Sequence, residues 1–153
     1  MLKIFLTGDN HIGLKYASHE KSSVIISKRT GAFSDMVSAA NKEGCGLFVI
    51  AGDLFENTRG VPKKDIAALL GMLSDFAGTV VILPGNHDYY DKDVRVWQCV
   101  REIIADYDNI MLLTEHRPYE ITVGEDDVII YPALCNSLHS QAGQNNLGWI
   151  KNE

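Results

Sequence analysis

The sequence is poor in cysteine. Its three cysteines, Cys45, Cys99 and Cys135, are odd in number, far apart and set in apolar surroundings. That excludes a disulfide framework and suits reduced thiols in a cytoplasmic protein. Each reads as a small buried hydrophobe rather than a ligand. Long apolar runs are missing too. No segment approaches the roughly 18 consecutive apolar residues of a membrane span, so no membrane partner is expected. The N-terminal LKIFLT passes straight into polar residues, without the pattern of a signal peptide. Basic charge is scarce: 14 Lys and Arg stand against 20 Asp and Glu, a formal charge of −6. This excludes a global basic field of the kind that drives non-specific nucleic-acid binding. A phosphate-bearing partner must then be held locally, for instance through a metal ion. Repeats, low-complexity tracts and obvious linkers are absent as well. What remains is 153 residues, 46% of them hydrophobic, enough for one cored domain and short for two.

Apolar runs and helical stripes alternate along this chain. LKIFLT (2–7), LFVIAGD (47–53), TVVIL (79–83) and IMLLT (110–114) are short runs that read as buried strands. Between the first two, Phe33, Met36, Val37 and Ala40 share one helical face, and EGCG at 43–46 reads as the helix stop. A second helix is expected after Pro62, with Ile66, Leu69, Leu70 and Leu73 at the i, i+3, i+4, i+7 spacing. A third, over 93–106, would turn Val96, Trp97, Val100 and Ile104 inward. YEITV and VIIYP around the acidic GEDD predict a hairpin. The order implies an α/β fold: a largely parallel sheet flanked by helices, joined to antiparallel strands.

The polar residues gather at the strand ends. Asp9 and His11 follow the first strand, Asp53 the second, and Asn86, His87 and Asp88 the third. In an open α/β sheet these C-terminal ends lie along one edge, where sites form. An Asp after a single strand is commonly a turn former or helix cap. Three successive strand ends with the same chemistry point instead to a site. Its oxygen and imidazole donors suit Mn²⁺, Fe²⁺ or Zn²⁺. Two ions are expected, because one carboxylate such as Asp53 can bridge a pair.

TGDNHIG (7–13), AGDLFEN (51–57) and PGNHD (84–88) resemble the first three signature blocks, D-x-H, G-D and G-N-H-D, of the calcineurin-like metallophosphoesterases. GDLFEN followed by PGNHDYY is most similar to the SbcD-like branch of DNA repair exonucleases. The resemblance implies metal-dependent phosphodiester hydrolysis, two divalent ions (Mn²⁺ first, Fe²⁺ or Zn²⁺ as alternatives), DNA as substrate and an SbcC-like ATPase partner. It implies that Asp9 and His11 bind the first ion, that Asp53 bridges both, and that Asn86 binds the second. His87 would face the substrate phosphate as an acid or transition-state stabiliser. Such ions neutralise phosphoryl oxygens and acidify a water towards a pKa of about 7, so no protein nucleophile is needed. A His held by its neighbour Asp88 would serve the leaving alkoxide. Tyr89 and Tyr90 read either as packing residues or as a surface for a base, and Arg59 as a phosphate partner or a solvated charge.

The family pattern continues with a Gly-His and a Gly-His-x-His motif that this sequence does not contain. His19, His116 and His139 are neither preceded by Gly nor paired as His-x-His. NNLGWIKNE reads as the start of another helix. The expectation is that residues 1–153 form the N-terminal part of a catalytic domain, with metal affinity reduced accordingly. Other readings are a small-substrate phosphatase or nucleotide phosphodiesterase, and a non-catalytic association module. Self-association is expected through the apolar faces of Ile121, Val123, Val128 and Ile130 and through unpaired strand edges.

Overall fold

The computed structural model describes residues 1–16, 18–139 and 143–150. Four strands, β1 (Ile4–Thr7), β2 (Leu47–Ala51), β3 (Thr79–Leu83) and β4 (Ile110–Leu112), form one parallel sheet in sequential order. Phe48 stands between Phe5 and Val80 in register, and Ile82 pairs with Leu112. Between the strands run α1 (Ser22–Lys42), α2 (Lys63–Ser74) and α3 (Arg95–Ile104). Sequential order with right-handed crossovers leaves all three helices on the same face.

Strand alternation divides the core accordingly. Phe48, Ile50, Val80 and Ile82 pack under the helices with Phe33, Val37 and Ala40 of α1, Ile66, Leu69, Leu70 and Leu73 of α2, and Val96, Trp97 and Val100 of α3. The opposite residues, Leu47 and Val81, with Leu113, form a second cluster under the hairpin β5 (Tyr119–Val123) and β6 (Asp126–Ile130). The hairpin therefore covers the second face rather than adding uncovered surface. Tyr119 and Val123 are buried, and Ile121, Val128 and Ile130 pack beside them. Among the described residues, β1 is left bare on that side, with Ile4 53% and Leu6 66% exposed.

Local departures from the sequence reading are small and have local causes. The hairpin turn is Gly124 and Glu125, with Gly124 at φ +64°, so Asp126 and Asp127 belong to β6 and not to the turn. Pro62 precedes α2 as its extended N-cap instead of opening it. Of NNLGWIKNE, residues 146–149 form a turn rather than a helix, and 151–153 lie outside the described residues. There the Trp149 indole N–H donates to Pro132 O, and its ring meets His116 and Tyr131. No helix among the described residues is long and apolar enough to cross a membrane.

Candidate metal centre

The C-terminal ends of β1, β2 and β3 are drawn together by glycines. A Cβ on Gly85 would stand 2.2 Å from Asp53 Oδ1 and 2.3 Å from Asp53 N, so only glycine lets the third strand end approach the second this closely. Gly52, at φ +92°, lies against Gly85 in turn. The loops leaving β1 and β2 then run side by side. Asp9 N donates to Gly52 O (3.2 Å), His11 N to Asp53 O (2.9 Å), Ile12 N to Leu54 O (2.8 Å), and Glu56 N back to Ile12 O (2.9 Å). Buried Ile12 and Phe55 anchor this pairing as an isolated parallel bridge.

The backbone is strained at the residues that carry the chemistry. Among the described residues, the non-glycine positions with positive φ are Asp9 (+52°), His11 (+48°) and Asp53 (+51°). Left-handed backbone at a non-glycine residue costs on the order of 1–3 kcal/mol and persists where the surroundings enforce it, typically at functional sites. Here the paired loops enforce it.

The side chains converge as a result. Ligand atoms of Asp9, His11 and Asp53 lie within 4.8 Å of one another, as do those of His11, Glu56 and His87. His11 thus belongs to both groups. Asp53 forms the floor at 7% exposure, while the Asp9 side chain, 87% exposed, stands at the open mouth. His11 Nε2 is 4.0 Å from Asp9 Oδ1, and Nδ1 is 2.9 Å from Glu56 Oε2. That Nδ1 is buried and makes no hydrogen bond, with the Glu56 carboxylate beside it as its charged neighbour. The His11 and His87 rings meet edge to face at 4.9 Å.

The third strand end contributes through its backbone as much as its side chains. His87 N donates to Asp53 Oδ1 (2.9 Å), which locks the bridging candidate in place. His87 Nδ1 lies 3.3 Å from the carbonyl oxygen of Glu56. A carbonyl can only accept, so in that contact Nδ1 carries the proton and Nε2 is left for other chemistry. Asn86 turns its amide NH₂ to Leu138 O (3.1 Å), leaving Oδ1 as its metal-competent atom.

Asp88 does not hold His87. It is fully buried, and its carboxylate accepts from Phe55 N (2.9 Å) and Gly85 N (2.7 Å), tying the second strand-end loop to the third. Burial raises its pKa, against the lowering effect of those two N–H groups, and the Asp53 charge adds to the rise. Trp97 Nε1 fixes the same loop by donating to Asp88 O and Tyr89 O. Tyr90 is a packing residue, tilted against the Trp97 ring at 6.1 Å. The half-buried Cys135 thiol is pushed up by burial first, and then by the Asp53 and Asp88 charges. Among the described residues it belongs to neither ligand group. His139 is exposed, and among the described residues it joins neither ligand group. Glu56 is the residue that the sequence reading missed: it sits in the quoted AGDLFEN, but its place beside His11 comes from the long-range Ile12–Phe55 bridge.

Carboxylates and imidazoles within a few ångströms, one buried imidazole nitrogen without a hydrogen-bond partner, and an open mouth fit a divalent cation of the hard to borderline class. An α/β layer with such donors along its C-terminal strand edge defines a metal-dependent hydrolase class of site. The calcineurin-like phosphoesterase family profile matches residues 2–148, and the chain belongs to that family. No curated protein matches the chain closely enough to count as a relative. Family membership makes metal-dependent phosphoester hydrolysis the general activity of this fold and site.

Proposed function

We propose that the strand-end cluster is a two-metal centre for hydrolysing phosphodiesters in DNA, of the repair-exonuclease type. Asp9 and His11 would hold the first ion, Asp53 would be shared, and Asn86 Oδ1 would serve the second, with Glu56 beside His11 as a further oxygen donor. The observation that carries the metal reading is that the left-handed non-glycine positions among the described residues coincide with three of the proposed ligands. Divalent ions bound there, Mn²⁺ foremost, would neutralise phosphoryl charge and acidify a water. The chain's own residues do the rest. Asp53 is fixed by the His87 N–H, so its carboxylate needs no reorganisation to accept a cation. His87, with its Nδ1 proton turned to Glu56 O, presents Nε2 at the rim, where the protonated ring donates to a departing oxygen.

The narrower choice of DNA rests on GDLFEN and PGNHDYY, which resemble the SbcD-like branch. An SbcC-like ATPase is the partner that goes with that choice. The test is release of nucleotides from linear duplex DNA, against hydrolysis of bis-p-nitrophenyl phosphate, with Mn²⁺ added and with chelator. Chelator-sensitive nucleotide release supports the reading. Activity confined to the chromogenic ester would assign the site to small substrates, and activity indifferent to chelator would remove the metal reading.

A further inference from the structure

The chain that follows the AGDLFEN loop and the start of α3 line a cleft of about 330 Å³, with Thr58, Arg59, Val61, Asp93, Val94 and Arg95 among its residues. Two features tie it to the metal centre. Thr58 follows Glu56 by two residues, so their Cα atoms are within about 8 Å by chain geometry alone. Val61, from the same stretch, packs over Gly13, where a Cβ would come within 2.9 Å of Val61 Cγ2, and Gly13 is two residues past His11. The 58–61 side of the cleft thus continues the loop that carries Asp53 and Glu56 and packs on the loop that carries His11.

Its charges are unspent. Arg59 and Arg95 are both exposed, and neither guanidinium has an ion-pair or hydrogen-bond partner among the described residues. Asp93 shares the cleft, but two cations face one anion there. In a chain with a formal charge of −6, two arginines facing one concavity make a local excess of positive charge. Guanidinium groups present paired N–H donors that match phosphate oxygens.

We infer that this cleft is a second phosphate-binding subsite, in which Arg59 and Arg95 grip a backbone phosphate of a nucleic-acid strand whose scissile phosphate lies at the metal cluster. The inference rests on the phosphodiesterase reading above and narrows it to polymeric substrates. A phosphomonoester has no second phosphate to place there. The two arginines are positioning residues for the strand and touch none of the reacting atoms.

The test separates this inference from the metal reading by working without metal. A fluorescein-labelled oligothymidylate of about 12 residues, within the ~4–16-nucleotide span of single-strand sites, is titrated with the whole chain in chelator at several salt concentrations. Anisotropy is read for wild type, Arg59→Ala, Arg95→Ala, the double variant and Lys28→Ala on exposed α1. Each cleft substitution should weaken binding by roughly five- to tenfold. The double variant should also flatten the plot of log affinity against log salt by about 0.7, the increment of one lost single-strand phosphate contact. Lys28→Ala should change neither. Circular dichroism checks that the exposed substitutions leave the fold intact, and Mn²⁺ affinity should be unchanged in the double variant. No binding by wild type, wild-type affinity in the double variant, or an equal loss in Lys28→Ala would each overturn the subsite and leave the metal cluster standing.

Discussion

Asp88 shows how a neighbour in sequence becomes a stranger in space. Next to His87 in PGNHD, it reads as that histidine's carboxylate partner, yet the chain turns it into the core to accept two backbone N–H groups. Asn at this position keeps the shape but aims an NH₂ at one of those donors. Asp88→Asn should therefore cost about 1–3 kcal/mol. Its pH dependence carries a sign. Because burial raises the folded pKa, the native state holds this proton to higher pH than the unfolded chain. The group's contribution is full below the ordinary carboxylate range and is lost as pH rises through the raised value. Asn has no such term. Urea unfolding between pH 4 and pH 7 should thus show the stability gap between wild type and variant narrowing as pH rises. A gap that widens would contradict the assignment.

At the scale of elements, most of the fold was legible because each strand is an unbroken apolar run and each helix carries one stripe. Phe33, Val37 and Ala40, or Ile66, Leu69, Leu70 and Leu73, face inward as their spacing requires. The strand-end residues were legible as a group for the same reason: ends of parallel strands share an edge. The hairpin's seat was not. Alternation in YEITV gives it an apolar face, but local pattern cannot say which surface that face meets, and it closes over Leu47, Val81 and Leu113. Glu56 and the three left-handed backbones escaped for a related reason, since both follow from pairing between loops over forty residues apart. That pairing depends on how closely the ends of β2 and β3 approach. Gly85→Ala puts a methyl group against Asp53 N, a backbone atom that cannot swing aside. We expect a loss of about 1–3 kcal/mol in thermal unfolding, together with weaker metal binding. Unchanged stability would mean that the strand ends are looser than described.

For the whole molecule, burial is uneven. One sheet face is closed by three helices and most of the other by the hairpin, but Ile4 and Leu6 on edge strand β1 remain open, as do Ile129 and Tyr131. An edge with unpaired backbone groups and apolar side chains invites a second strand. We propose that the chain self-associates there. Light scattering after size exclusion should give a mass that rises with concentration, and Leu6→Lys should abolish the rise. A monomer of 16.9 kDa at every dilution would contradict it.

The account stands or falls on whether Asp9, His11 and Asp53 hold a cation. Calorimetric titration of the whole chain with Mn²⁺ answers this directly, with Asp53→Asn as the comparison because it keeps the acceptor for His87 N while removing the charge. The account predicts a saturable site in wild type, weakened at least about tenfold in Asp53→Asn while the thermal unfolding of the metal-free proteins stays close. Equal Mn²⁺ affinity in the two proteins, or no saturable binding in wild type, would contradict it.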